Sequence, residues 1–307
     1  MALLKDILES GVRAVSQIYP EGEAREMVFS LLEHILGTKK HTHIIEPAYK
    51  VPDLLMSAVS AAIDRLASGE PLQYVIGKAN FYGRDFNVNP AVLIPRPETE
   101  ILCRLAITYG ASHVHDGRGL RVLDLCTGSG CIAWTMALEC PGSEVTAADI
   151  SDDALNVASS QDFRDELSGI GGNAPEFIKA DILADILSCL GTYDIVLSNP
   201  PYVMDKEKAL MRANVLDHEP HLALFVPDHD PLVFYHAVAR WSRSLLSADG
   251  VGIVEINEAL GQETAKVFTD AGFASAKVLQ DFSGRDRFVF FSRSSTGHLW
   301  NKLSGIL

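Results

Sequence analysis

Asn199-Pro200-Pro201-Tyr202 follows the run Tyr193-Asp194-Ile195-Val196-Leu197-Ser198, which reads as a buried strand. The prolines fix φ and lack an N–H. The carbonyls of Asn199 and Pro200 therefore cannot be drawn into a helix and must point elsewhere. With the Asn199 amide oxygen and the flat Tyr202 ring added, the loop can accept hydrogen bonds from a planar NH2 group and stack on its π face. The same four residues could also make an ordinary Pro-rich turn closing a strand. Position favours chemistry, because ligands bind at the carboxyl ends of strands in an open α/β sheet.

A second group lies upstream. Arg121-Val122-Leu123-Asp124-Leu125 reads as a strand, Cys126-Thr127-Gly128-Ser129-Gly130 as a glycine turn, and Cys131 to Cys140 as a helix stopped by Pro141-Gly142. Glycines let the backbone approach a ligand closely, and the helix N-terminus offers unpaired N–H groups to a carboxylate. The next strand, Glu144 to Ala148, ends in Asp149, an acid at the distance that suits both hydroxyls of a ribose. The other reading of Asp149 is helix-dipole stabilisation, which is assigned instead to Asp152 and Asp153, next to an expected Ser151 N-cap. After the strand Glu176 to Ala180, Asp181 can accept from an adenine amine and Ile182 can cover its ring.

These groups need a scaffold. Apolar residues at three- and four-residue spacing predict amphipathic helices from Ala2 to about Gly77, a bundle whose stripes read as core. From Gly77 to Glu100, β-branched and aromatic residues alternate around Gly83 and Asn89-Pro90, which predicts a hairpin-like connector. Pro95-Arg96-Pro97-Glu98 is stiff, and Thr99 is placed to cap a helix from Glu100 through Ala106. Arg96 and Glu98 alone could be a solvated loop pair. Beyond Asn199, helices are expected over about Pro231 to Leu246 and Gly261 to Ala271, and strands over Gly252 to Ile256, Ala276 to Asp281 and Arg287 to Ser292. The tail from Ser294 is expected to be a loosely packed end. The predicted fold is α/β, a Rossmann-like seven-stranded sheet with a small N-terminal helical bundle. The expected domains are 1–77, the connector 78–100 and 101–307.

The chain has 307 residues, 47% of them hydrophobic, and a net charge of −14. Residues 1–78 hold ten acidic and eight basic residues, against thirty and eighteen in 79–307, so the acidity belongs to the second part. Such a surface repels nucleic-acid phosphates and favours a basic protein partner. The five cysteines, Cys103, Cys126, Cys131, Cys140 and Cys189, form no C-x-x-C pair, so neither disulfides nor a zinc knuckle is expected. The close histidine pairs, His41/His43, His113/His115 and His218/His221, lack the helical i, i+4 spacing of a metal motif, and no metal is expected. No basic segment precedes an apolar run at the start, and the apolar runs are strand-sized. Neither export nor membrane spanning is therefore expected, and the cytoplasm is the expected location.

The tetrapeptide and the glycine loop, taken in order, resemble a class I S-adenosylmethionine methyltransferase, and more narrowly the HemK/PrmC release factor glutamine methyltransferases. The resemblance covers GEPLQYVIG at Gly69 to Gly77, VLIPRPETE at Val92 to Glu100, DLCTGSGCIA at Asp124 to Ala133 and SNPPYV at Ser198 to Val203. It continues through His218-Glu219-Pro220 and Asp281 with Gly284-Arg285-Asp286-Arg287-Phe288. It implies S-adenosylmethionine as methyl donor, released as S-adenosylhomocysteine, and held by Cys126, Thr127, Gly128, Ser129, Gly130, Asp149, Asp181, Ile182 and Asn199. It also implies a glutamine substrate held by Asn199, Pro200, Pro201 and Tyr202, with Arg96 and Glu98 beside it. The partners implied are class I peptide chain release factors, with a monomeric enzyme and no direct nucleic-acid contact. Cys126 stands where the family's donor loop has its first glycine, and a positive φ there would cost about 1 kcal/mol. The alternatives are methylation of a ribosomal-protein glutamine on the same scaffold, or of DNA adenine, which would need a basic groove this acidic chain does not show.

Overall fold

The computed structural model describes residues 2–112, 119–184, 186–187 and 190–295. Residues 296–307, most of the expected loose end, lie outside the described residues, as do Cys189, His113 and His115. Two units form, Met1–Lys78 with Met211–His218, and Ala79–Leu210 with Glu219–Leu307.

In the first unit the helical spacing produces α1 (Leu4–Val15), α2 (Glu21–Leu36), the single turn α3 (Thr42–Ile45), α4 (Asp53–Ala67) and α5 (Leu72–Ile76). Leu4, Leu8, Val12 and Val15 face Val28, Leu31, Val59 and Leu66 in one apolar core. Gly37 and Gly77 close α2 and α5 with φ of 65° and 79°, a left-handed cap that glycine adopts without strain. The helix α10 (Ala213–His218) returns from far along the chain to join this unit, and just before it Arg212 Nη1 lies 3.0 Å from Glu23 Oε1.

The hairpin strands β1 (Lys78–Phe81) and β2 (Arg84–Asn87) are joined by Tyr82-Gly83, both at positive φ, as a two-residue hairpin turn requires. The large sheet contains β3 (Arg121–Leu125), β4 (Glu144–Asp149), β5 (Glu176–Lys179), β6 (Tyr193–Ser198), β9 (Leu246–Glu255), β10 (Ser275–Gln280) and β11 (Asp286–Ser292), in the order β10-β11-β9-β6-β3-β4-β5. β11 pairs antiparallel with both β10 and β9, and the other neighbouring strands of this sheet pair in parallel. The order reverses at β3, so its carboxyl end, beside those of β4 and β6, opens into a crevice. A two-stranded piece, β7 (Val203–Met204) and β8 (Phe225–Val226), follows the Asn199 loop.

Period-two alternation covers both faces of the sheet. Phe288 and Phe290 pack with α6 (Pro97–Ala111), α7 (Cys131–Glu139) and α9 (Arg164–Ile170). Val289 and Phe291 pack with α11 (Val233–Leu245) and α12 (Gly261–Asp270) on the other face. The helix α8 (Asp152–Ser159) follows β4, and Ser151 caps it by accepting from the Ala154 N–H.

Two local expectations are corrected. Helix α6 starts at Pro97 with Arg96 as N-cap, so Thr99 is inside the first turn and its hydroxyl is free for another partner. Strand β9 starts at Leu246, not Gly252, because an irregularity opposite Tyr193 and Ile195 lets the exposed Ala248 and Asp249 arc outward without ending the ladder. Among the described residues no helix is long and apolar enough to cross a membrane.

Gly252 is a packing requirement. A Cβ there would lie 1.9 Å from Phe291 Cζ, and that ring is held by Phe268, stacked at 3.9 Å, and by Phe273. Gly252→Ala should lower stability by at least about 1–3 kcal/mol, read as a drop in thermal midpoint.

Candidate functional site

The crevice holds a cavity of about 330 Å³. Its walls are the glycine turn after β3, the ends of β4 and β5, the Asn199 loop after β6, and the segment before α6, with Leu222 and Phe234 as apolar cover.

The glycine turn is shaped by its own hydrogen bonds. Thr127 donates its N–H to the Ala148 carbonyl at 3.0 Å and its hydroxyl to Asp124 Oδ2 at 2.6 Å, while Gly130 N–H closes on the Thr127 carbonyl at 2.9 Å. Cys126 takes φ 63°, the strained left-handed geometry that a glycine would adopt freely. Burial, with Asp149 and Asp124 nearby, pushes its thiol well up, which disfavours the thiolate. Gly128 has φ +54° and nothing within 4 Å of where its Cβ would be, which leaves the cavity side of the turn open to a ligand. Gly130 serves packing, since a Cβ there would meet Ala158 Cβ at 3.0 Å and Trp134 Cδ1 at 3.1 Å.

Asp149 joins the turn to β4. Its Oδ2 accepts the Gly128 N–H at 2.9 Å and its Oδ1 the Ser151 N–H at 3.0 Å. Burial raises its carboxyl, and the N–H bonds from Ser151 and Gly128 oppose that rise. Each oxygen keeps a second lone pair for a ligand hydroxyl. Asp181 is exposed at the rim, with Oδ1 accepting the Leu183 N–H at 2.9 Å, and Ile182 is buried behind it.

Across the cavity, Asn199 Nδ2 donates to Thr99 Oγ1 at 3.1 Å, and Thr99 Oγ1 donates to Glu255 Oε2 at 2.6 Å. The Tyr202 hydroxyl donates to Glu255 Oε1 at 2.9 Å. Burial raises the Glu255 carboxyl above its ordinary value, and the two hydroxyl donors and the charge of Arg287 offset only part of that rise. Asn257 steadies the outgoing chain, its Nδ2 donating to the Tyr202 carbonyl at 3.2 Å and to Glu207 Oε2 at 2.9 Å.

The cavity wall gathers Cys126, Thr127, Gly128, Ser129, Asp149, Asp181, Ile182, Asn199, Pro201 and Arg96. Gly130, Pro200 and Tyr202 belong to the same two loops without lining the wall, and the Tyr202 ring packs on the apolar cluster under α11. Glu98 is exposed and off the wall; the carboxylate partner of Arg96 is the buried Glu219, at 2.6 Å, which also accepts the Ile94 N–H at 3.2 Å. Asp153, assigned to the helix dipole, also lines the cavity. Glu255 was not singled out from sequence, and Thr99 was read only as a cap. Neither carries a local signal of its partner.

Residues 111–222 match the family model described as methyltransferase small domain, and residues 6–77 the one described as PrmC N-terminal domain. The release factor glutamine methyltransferase of Bacteroides thetaiotaomicron is 39% identical over 288 residues, spanning 92% of this chain and 97% of that one. The chain belongs to the release factor glutamine methyltransferase family. The enzyme of that name from Flavobacterium psychrophilum is 34% identical over 287 residues, covering 94% and 98% of the two chains. Among solved structures, the hMettl16 catalytic domain in complex with the MAT2A 3′UTR hairpin 6 superposes with a TM-score of 0.51 at 16% identity, over 70% of this chain and 77% of that one. That likeness is one of fold alone.

Asp124, under the glycine turn, has its carboxyl pushed up to about 7, first by burial and further by Asp149, against the Thr127 hydroxyl bond. A carboxyl raised in the folded state contributes stability at low pH that is lost as pH rises from its ordinary value through about 7. Asp124→Asn cannot titrate. Its thermal midpoint relative to the parent should therefore rise between about pH 4 and pH 7 and level off above, and a difference independent of pH would contradict the raised carboxyl.

Proposed function

We propose that this chain transfers a methyl group from S-adenosylmethionine to the side-chain amide nitrogen of the glutamine in the Gly-Gly-Gln motif of class I peptide chain release factors. The observation that carries this reading is the orientation of Asn199. Its nitrogen is engaged by Thr99, which leaves its oxygen as the acceptor available to a substrate NH2.

The residues around the cavity suit the donor. The open face at Gly128 admits a ligand against the backbone, Asp149 has lone pairs for two ribose hydroxyls, and Asp181 with Ile182 suits an adenine edge and face. S-adenosylmethionine, when bound, supplies a methyl group on a positively charged sulfur. The protein's task is then the nucleophile. A glutamine amide nitrogen is poor because its lone pair is delocalised into the carbonyl. Asn199 Oδ1 is assigned one N–H of that amide and the Pro200 carbonyl the other, so that the nitrogen is held facing the donor and catalysis is mainly orientation. No general base is assigned, since the nitrogen becomes acidic once methylated and loses its proton to water. Arg96, fixed by Glu219, is assigned to the substrate side.

The helical unit is assigned to recognition of the release factor, because a tripeptide in a narrow pocket offers too little contact for selective binding. Met211–His218 packs with that unit. A chain cut before Lys78 would strip α10 of its partners, so substitutions on the unit's surface are the sounder test. The enzyme's place is with its substrate, in the cytoplasm.

Two measurements test the site. Asp149→Ala should weaken S-adenosylhomocysteine binding by about 2–3 kcal/mol in calorimetry, and an unchanged affinity would confine Asp149 to holding the glycine turn. With labelled donor and purified release factor, the parent should modify one glutamine, located by mass spectrometry, and Asn199→Ala should lower transfer by about two orders of magnitude or more. Parent-like turnover by that variant would refute the role of Asn199.

A further inference from the structure

The amide of Asn199 has two ends, and rotation about its last torsion exchanges them. That torsion is soft and nearly two-fold, so the side chain's own preference does not decide which end faces the cavity. The neighbours must decide. Thr99, at the cavity wall, is only 2% exposed and Glu255 is 1% exposed, so water hardly competes for either. Both Glu255 oxygens are taken by hydroxyl donors, Oε2 by Thr99 at 2.6 Å and Oε1 by Tyr202 at 2.9 Å.

A carboxylate accepts and has no proton to give. The Thr99 hydroxyl owns a single proton, which is committed to Glu255, so towards Asn199 it can only accept. Only the NH2 end of Asn199 can meet it, as found at 3.1 Å, and the oxygen end is left for the cavity. We propose that Glu255 is a positioning residue which, through Thr99, fixes the Asn199 amide with its oxygen towards the substrate. Tyr202 belongs to the same relay. Its hydroxyl donates to the other carboxylate oxygen and so keeps the acceptor that serves Thr99 in place. Reversing the relay would present an NH2 to a substrate NH2, donor against donor, in a site where the substrate needs an acceptor. This inference rests on Asn199 receiving the substrate amide.

The test uses the full-length enzyme. Thr99→Val removes the hydroxyl at nearly constant shape and should lower kcat about 100-fold, with S-adenosylhomocysteine affinity within about twofold of the parent. Thr99→Ser keeps the hydroxyl and should recover kcat to within about threefold of the parent. Glu255→Gln can donate to Thr99 and so allows the reversed relay. It should lower kcat about tenfold or more while its thermal midpoint is unchanged or higher, because a buried charge has been removed. Loss of stability and of activity in step would instead indicate a merely structural role. A readout without turnover is the side-chain 15NH2 signal pair of Asn199, assigned by its disappearance in Asn199→Asp. That pair should move in Thr99→Val and Glu255→Gln and stay near its parent position in Thr99→Ser. Parent-like kcat in Thr99→Val, or an unmoved signal in both variants, would overturn the relay. If the parent fails to methylate release factors, the functional reading fails, and the spectroscopic series still decides the relay.

Discussion

A hydroxyl with one proton, on Thr99, joins three parts of the chain that meet nowhere in sequence. Glu255 ends β9, Asn199 follows β6, and Thr99 lies in the first turn of α6. Strands β6 and β9 are parallel neighbours, with Ser198 paired to Val254, so their carboxyl ends arrive side by side. Helix α6, packed on the sheet through Ile101, Leu102 and Leu105, brings the hydroxyl between them. The wall that carries Asn199 thus inherits its precision from the core of the sheet, and the loop prolines keep the backbone out of helix.

The wall at the glycine turn is built differently, by local structure. The glycine turn, the Asp149 bonds to Gly128 and Ser151, and the capped start of α8 involve residues close in sequence or on adjacent strands. The strain of a positive φ at Cys126 persists because the surrounding bonds determine that turn. Asp124 below Thr127 and Asp149 above Gly128 leave it little alternative. The two halves of the cavity meet at the topological switch of the sheet, where β3 separates β4 from β6.

This division explains what the sequence reveals. The seven strands, the glycine turn, Asp149, Ser151 and the Asn199 loop were legible because each is a contiguous pattern, a strand followed by a turn with its own chemistry. The Thr99 partner is 156 positions away and the Arg96 partner 123 positions away, and no local pattern encodes either pairing. Tyr202 reads as a stacking ring from its neighbours in sequence. Only the packed structure turns its hydroxyl to Glu255 and its ring to the core. Likewise α10, whose six residues give little periodicity, belongs to the first unit, where Arg212 just before it meets Glu23. Glu255 looks like one more strand residue until its two hydroxyl partners are seen.

The proposed transfer depends on a glutamine amide being held by an acceptor on Asn199. A crystal structure of the enzyme with S-adenosylhomocysteine and a release factor tests that most directly. The predicted result is the glutamine amide nitrogen at about 2.7–3.2 Å from Asn199 Oδ1, with Asn199 Nδ2 still on Thr99. A glutamine whose carbonyl oxygen faces Asn199 Nδ2, or whose amide lies beyond hydrogen-bonding reach of that residue, would contradict it.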